Sequence, residues 1–333
     1  MNPPETNSST KTKIVRYPTA HLIREIGRGV KGARSLSASD AHDLFQAIID
    51  GRVSDLELGA IVIALRIKGE SIDEIDGFLR AAEASFAPLT APQASFAPIV
   101  IPSYNGARRL ANLTPLLAML LAREGVPVLV HGVEQDSGRV TSAEIFRVLG
   151  INPTVNTQNV VQNWQNKLPV WMPIDVLAPR LAQLLALRKM LGLRNSTHTL
   201  VKIIQPFSQP ALRLTSYTHP EYATMLAQFF GEVADPSRGD VLLMRGTEGE
   251  TVAHTNRVRQ IDWFHGRVKT TLVEDQPGGD VALAVPVDAE GTAEWINSVL
   301  AGREPVPENI AQQVNHCLMV ARKMKNNLQG ESE

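Results

Sequence analysis

The sequence predicts an α/β protein in two parts. A small all-helical domain precedes a larger α/β domain with a mainly parallel central sheet. Three observations carry this reading. Residues 20–88 hold only helix-period patterns, closed by glycine stops. A stretch with three prolines, "APLTAPQASFAP" (87–98), then interrupts the periodicity and reads as a linker. Beyond it, short apolar runs alternate with helical patterns, as in β-α units whose parallel strands are covered on both faces.

The elements follow in order. "DAHDLFQAIIDG" (40–51) starts at Asp40, sets Leu44, Ala47 and Ile48 on one face and stops at Gly51. "SDLELGAIVIALRIKG" (54–69) opens with Ser54 and Glu57 at capping-box spacing, and Gly69 closes it. It is apolar nearly all round, so burial on most faces is expected. "SIDEIDGFLRAAEASF" repeats the pattern with Ser71 and Glu74. In the second part, "PIVIP" (98–102) and "VPVLVHG" (126–132) read as strands, and 107–124 and 141–150 as helices. Helices are expected over 176–193 and 196–204. Strands at 211–217 and 239–246 flank a helix at 219–230, and two helices over 291–325 are split by "GREPVP". The division expected is a helical domain at 17–88 with 176–205 packed on it, and an α/β domain at 95–175 and 206–330. Residues 1–16 are polar, lack the apolar core of a signal peptide and are expected to be a mobile tail.

Composition narrows the function classes. Apolar residues make up 44% and charged residues 20% of 333 positions, as in soluble globular proteins. One cysteine, Cys317, excludes an internal disulfide and makes the cytoplasm the expected compartment. Beside His316 it offers too few ligands for a metal, and its apolar helical setting reads as core. No run of about 18 apolar residues would span a bilayer. The net charge of −1, from 33 basic and 34 acidic residues, does not mark a nucleic-acid binder, so local clustering decides.

The stretch "IPSYNGARRLANLTPLLAMLLAREGVPVLVHG" (101–132) is laid out like a phosphate site: strand, turn, helix, strand. Its turn holds one glycine and two arginines, Arg108 and Arg109, where such sites usually carry several glycines and an acid. The segments "SDLELGAIVIALRIKGESIDEIDGFLRA", "ANLTPLLA", "VHG" before "TSAEIFRVLGI", "LRKMLGLRNSTHTLVKIIQP" and "LLMRGTEGE" together resemble anthranilate phosphoribosyltransferases. They stand in the family's order over roughly residues 20–255. The resemblance implies the fold shared with class III nucleoside phosphorylases, a cleft between the two parts, and a homodimer formed through the helical domain. It looks closest to a divergent paralogue group that keeps this fold and includes nucleic-acid binders.

Departures from the enzyme pattern decide what the resemblance implies for activity. The enzyme's glycine-rich pyrophosphate loop corresponds to Pro102, Ser103, Tyr104, Asn105 and Gly106, with proline removing an N–H and tyrosine adding bulk. Asn112 and Thr114 match the enzyme's asparagine and serine. The lysine-histidine-glycine-asparagine run reads Val130, His131, Gly132, Val133. Thr251 and Val252 fall where the enzyme's Asp-Glu pair holds magnesium, with Glu248 and Glu250 nearby. Arg188 is kept, and a histidine ten residues earlier is Ala178. Transfer relies on positioned pyrophosphate, metal and acceptor, so losing these parts together is expected to remove most of the rate.

The gains are cationic. Arg108 and Arg109 are expected at a helix start, where the dipole disfavours cations unless an anion meets them. Lys202 stands where the enzyme has proline, beside His198. Arg188, Lys189 and Arg194 come from "LALRKMLGLRNS", and Arg24, Arg28, Lys31 and Arg34 from "IREIGRGVKGAR". These last four share one face if helical, although three glycines favour a loose arm equally. Plainer readings stand beside each. Basic residues at helical spacing form solvated faces, His131 fits a core histidine, "GTEGE" fits a tight turn, and Tyr104 fits cleft packing as well as base stacking. The expectation is a homodimer that binds DNA or RNA through phosphates, without cofactor or membrane. The alternative is an active phosphoribosyltransferase using magnesium on anthranilate or another aromatic acceptor; a scaffold binding only proteins is the third class.

Overall fold

The computed structural model describes residues 15–29, 31–277 and 283–330. Most of the segment expected to be a tail, residues 1–14, therefore lies outside the described residues. Four helices open the chain: α1 (Ala20–Ile26), α2 (Ala38–Ile49), α3 (Asp55–Lys68) and α4 (Ile72–Ala84). The capping boxes at Ser54/Glu57 and Ser71/Glu74 both form. Helix α2 is capped by Ser37 rather than started by Asp40, which sits in the first turn and donates its N–H to the Ser37 hydroxyl. Gly77 lets α4 approach α2, because a Cβ there would lie 2.3 Å from the Ala38 carbonyl oxygen. Helix α3 is less enclosed than its composition suggested: Ile61, Val62 and Leu65 are buried, while Leu56 is 86% and Ile67 63% exposed.

The second part is built on a seven-stranded sheet in the order β3-β2-β1-β4-β5-β6-β7. Its parallel strands are β1 (Ile99–Ser103), β2 (Val128–Gly132), β3 (Val170–Pro173), β4 (Leu212–Ser216) and β5 (Val241–Met244). Strands β6 (Ile261–His265) and β7 (Val268–Val273) add an antiparallel edge. The connecting helices are α5 (Thr114–Arg123), α6 (Ser142–Val148), α7 (Thr157–Gln165), α8 (Ile174–Leu177), α9 (Pro179–Leu191), α10 (Thr197–Leu200) and α11 (Pro220–Gln228), with α12 (Ala289–Leu300) and α13 (Glu308–Gly330) at the end.

Alternate strand residues feed two cores, as the two-residue period of a strand requires. Val100, Leu129, Val170 and Leu243 face a core shared with α2, α4, α9 and α10. Ile99, Val128, Trp171 and Leu242 face the other, built with α5, α6, α12 and α13. Cys317 lies fully buried in this second core, and burial pushes its thiol up to about 12. The proline-rich stretch is pinned where the chain returns to the sheet: Leu89 donates to the Pro206 carbonyl and accepts from the Ser208 N–H.

Three expectations change. The helix expected over 107–124 begins only at Thr114, where the Asn112 side chain accepts the Thr114 N–H. Residues 107–113 are loop, so Arg108 and Arg109 do not stand at a helix start. The helix expected over 196–204 is a single turn, α10, followed by tight turns. The four cations from Arg24 to Arg34 share no helix, since α1 ends at Ile26 and Gly29 takes φ +79°.

Candidate functional site

Strand order reverses between β1 and β4, and ligands in open α/β sheets sit beyond the carboxyl ends of strands at such a point. Loops from β1, β2, β4 and β5 gather there, under α9 and α10. They enclose a cleft of about 770 Å³. Beside it, on the β5 side, lies a second concavity of about 690 Å³, with Tyr217 and Thr218 between the two.

The loop after β1 is fixed by two glutamates from the turn after β5. Glu250 is 1% exposed, and one oxygen accepts the N–H groups of Asn105 (2.8 Å) and Gly106 (2.7 Å). Its other oxygen faces the Thr114 hydroxyl at 3.4 Å. Glu248 accepts the N–H groups of Arg108 (2.5 Å) and Arg109 (3.1 Å). Two amides of the loop that the resemblance assigns to pyrophosphate, those of Asn105 and Gly106, are thus satisfied by the chain's own Glu250 carboxylate. Gly249 makes this possible. It has φ +93°, and a Cβ there would lie 1.8 Å from the Asn105 side-chain nitrogen. "GTEGE" is a tight turn, as one reading had it, and its two acids also brace the opposite loop.

The remaining matched positions form a buried frame. Ser103 donates to the Ser142 hydroxyl (2.8 Å), which also accepts from the Asn112 side chain (3.1 Å). A Cβ on Gly132 would lie 1.7 Å from the Ser103 carbonyl oxygen, so close strand approach requires glycine. His131 is fully buried and pairs through Nδ1 with the Tyr104 hydroxyl at 2.7 Å. Burial pushes the imidazole down to about 3 and the phenol well above its usual range, so both are neutral at pH 7. Gly106 takes φ +62° beneath the Val140 carbonyl.

The cleft collects Tyr104, Asn105, Arg188, Lys189, Arg194 and Lys202 of the expected residues. Arg188 faces Asp136 at 3.6 Å, and Arg194 reaches the Asn105 side-chain oxygen at 3.4 Å. Lys202 makes one long contact, 3.4 Å to the Gly249 carbonyl. Burial is the main reason its ammonium falls to about 8, and Arg194 adds repulsion. His198 is pushed down to about 4 by burial and then by Arg194, so it carries no charge at pH 7. Burial also lowers Arg194, with Arg188 and Arg139 contributing.

Arg108 and Arg109 lie instead in the second concavity. Four arginines that sequence reasoning missed join them: Arg139, Arg245, Arg257 and Arg259. Among the described residues one carboxylate, Glu248, lines this bowl. Arg257 and Arg259 stand in "HTNRVRQ", a readable signal in hindsight, whereas Arg139 and Arg245 are isolated in sequence and meet the others only through the topology. Arg24, Arg28, Lys31 and Arg34 line neither concavity, and Arg28 is paired with Glu25 at 2.8 Å.

Together, the bundle, the crossover sheet and the inter-part cleft define the anthranilate phosphoribosyltransferase-like fold. Residues 20–85 match the helical bundle domain of a glycosyl transferase family. The uncharacterized protein YbiB of Escherichia coli K12 is 45% identical over 300 residues, 90% of this chain and 92% of that one. An anthranilate phosphoribosyltransferase of Paramagnetospirillum magneticum is 26% identical over 82% of this chain and 77% of its own length. The crystal structure of the Thermus thermophilus anthranilate phosphoribosyltransferase superposes with a TM-score of 0.68 at 20% identity, covering 91% of this chain and 89% of that one. The chain belongs to the anthranilate phosphoribosyltransferase-like family, in a divergent group with YbiB.

Magnesium does not fit the residues present. Thr251 and Val252 are each 1% exposed, with the Thr251 hydroxyl turned to the Pro102 carbonyl at 3.5 Å. Both nearby carboxylates are engaged by loop amides. Among the described residues no three His, Cys, Asp or Glu side chains converge, and no helix is long and apolar enough to cross a membrane.

Proposed function

We propose that this protein binds nucleic acid through its phosphates, with little sequence preference, as a homodimer. The observation that carries the reading is the bowl of six arginines with a single carboxylate among the described residues, in a chain whose net charge is −1. Balanced overall charge with local basic clustering is how a polyanion site differs from a merely basic protein. Guanidinium groups donate paired hydrogen bonds to phosphate oxygens, and the counterions released supply most of the affinity. Phosphates carry no base information, which accounts for the low sequence preference. The cleft beside the bowl adds Arg188, Arg194 and Lys202, so a strand running from one concavity to the other stays on cations.

Two further features support the reading. The Glu250 carboxylate in place of pyrophosphate on the Asn105 and Gly106 amides, and Thr251 and Val252 in place of metal ligands, argue against phosphoribosyl transfer. The apolar groove lined by Ile23, Ile63, Leu56 and Ile67, next to the exposed Met190, supports a twofold partner on the helical face. A dimer presents two bowls, so long strands bind more tightly than short ones. A fluorescence titration with labelled oligonucleotides of unrelated sequence tests this. Similar affinities for all sequences at low salt are expected, and no binding at low salt would overturn the reading.

A further inference from the structure

We propose that the backbone N–H groups of Arg108 and Arg109 form a phosphodiester subsite of the bowl, held in the free protein by the Glu248 carboxylate, which an incoming polyanion displaces. The proposal rests on the nucleic-acid reading above and specifies how its site works. Adjacent backbone N–H groups pointing at one acceptor make an anion-binding concavity. Here both oxygens of Glu248 fill it, with Arg108 N–H on one and Arg109 N–H at 3.1 Å from the other. Among the described residues Glu248 is the one carboxylate lining a bowl that also holds six arginines. It therefore occupies the place, and supplies the charge, of a phosphate.

The two glutamates of the turn differ in a way that assigns them different roles. Glu250 is 1% exposed and binds amides inside the protein, so no ligand reaches it. Glu248 is half-buried, its amide partners belong to exposed residues, and it borders open solvent in the bowl. Glu248 also has φ +51°, a left-handed conformation that is uncommon for a residue with a side chain. The two-residue turn itself sets this conformation: the Glu250 N–H donates to the Thr247 carbonyl at 2.9 Å across it, and Gly249 follows at φ +93°. This backbone pairing holds the turn without the Glu248 side chain, so the carboxylate can leave the amides with the backbone in place.

Displacement confers a selectivity that bare arginines lack. A lone inorganic phosphate only exchanges one anion for another at these amides. A polymer seats one phosphate there while its neighbours engage the flanking arginines, so only a multivalent anion displaces Glu248 at low concentration. The resident carboxylate thus screens out small cellular anions and admits polyanions.

The test compares the full-length protein with E248A and with E248G, which also suits the left-handed backbone. Hydrogen exchange is read at the Arg108 and Arg109 amides, with and without an oligothymidylate of about twenty nucleotides. The amides should be protected in the wild type, exchange fast in both variants, and regain protection when the oligonucleotide is added. Both variants should bind the oligonucleotide roughly tenfold more tightly, the weight of one charge-assisted hydrogen bond no longer exchanged. Millimolar inorganic phosphate should compete with it in the variants and not in the wild type. Tight binding by the variants with these amides still exchanging fast would overturn the subsite while leaving the nucleic-acid reading intact. Absence of binding by all three proteins at low salt would overturn both.

Discussion

Removing the Glu250 carboxylate should loosen the loop that shapes both concavities. In E250A the N–H groups of Asn105 and Gly106, which now donate at 2.8 and 2.7 Å, lose their acceptor in a buried setting. Each unsatisfied buried donor costs about 1–3 kcal/mol, so the pair predicts roughly 2–6 kcal/mol of lost stability. Both amides share one carboxylate oxygen, so glutamine can keep both bonds. E250Q should therefore lose about 1–2 kcal/mol, the difference between a charged and a neutral acceptor. The assay is urea unfolding, read as a shift in midpoint at unchanged slope, because a change in slope would signal lost cooperativity. Equal stability of E250A and wild type, within about 0.5 kcal/mol, would refute the claim that this carboxylate replaces an anion in holding the loop.

Other outcomes follow from the same geometry. Lys202 titrates in the fold near 8, below its ordinary 10.5, so the folded chain binds fewer protons between those values. Stability should therefore rise as pH climbs from 8 to 10.5, with the penalty for the buried charge fully present below 8. Oligonucleotide affinity should fall as pH passes 8, and K202M should flatten that fall. Introducing aspartate at Leu56 and Ile67 should turn a dimer into a 36.4 kDa monomer by sedimentation; a wild-type monomer at micromolar concentration would contradict the twofold contact. In magnesium, with phosphoribosyl pyrophosphate supplied, no anthranilate turnover is expected, and turnover at ordinary enzyme rates would restore the transferase reading.

Much of this architecture is legible in the sequence, for identifiable physical reasons. Capping boxes at Ser54 and Ser71 and the stops at Gly51 and Gly69 are local signals, and they mark three of the four opening helices. Helix α1 escapes notice because its seven residues carry no side-chain cap. Strand β3 escapes because "VWMP" is four residues long and runs straight into α8. The β6–β7 hairpin goes unread, although its "HG" corner and β-branched run are present. The onset of α5 is misplaced because residues 107–113 are apolar enough to continue a helix, while the amides of Arg108 and Arg109 are held by a glutamate 140 and 139 positions away. That long-range contact also hides the role of "GTEGE". The basic cluster is half legible: Arg108 and Arg109 stand out as neighbours, whereas Arg139 and Arg245 join them only once strand order is known. The arm from Arg24 to Arg34 looks as promising in sequence and lies apart from both concavities.

The central claim, that phosphates bind in the bowl, is tested most directly by a salt series. Fluorescence titrations with a single-stranded oligonucleotide would be run for the wild type and for the variant with Arg108 and Arg109 both changed to alanine. The logarithm of affinity should fall linearly with the logarithm of salt, at about −0.7 per phosphate neutralised on a single strand. The double variant should show a slope shallower by roughly one to two, doubled where both bowls of a dimer engage one strand, with sequence preference unchanged. An unchanged slope, or binding that ignores salt, would contradict the account.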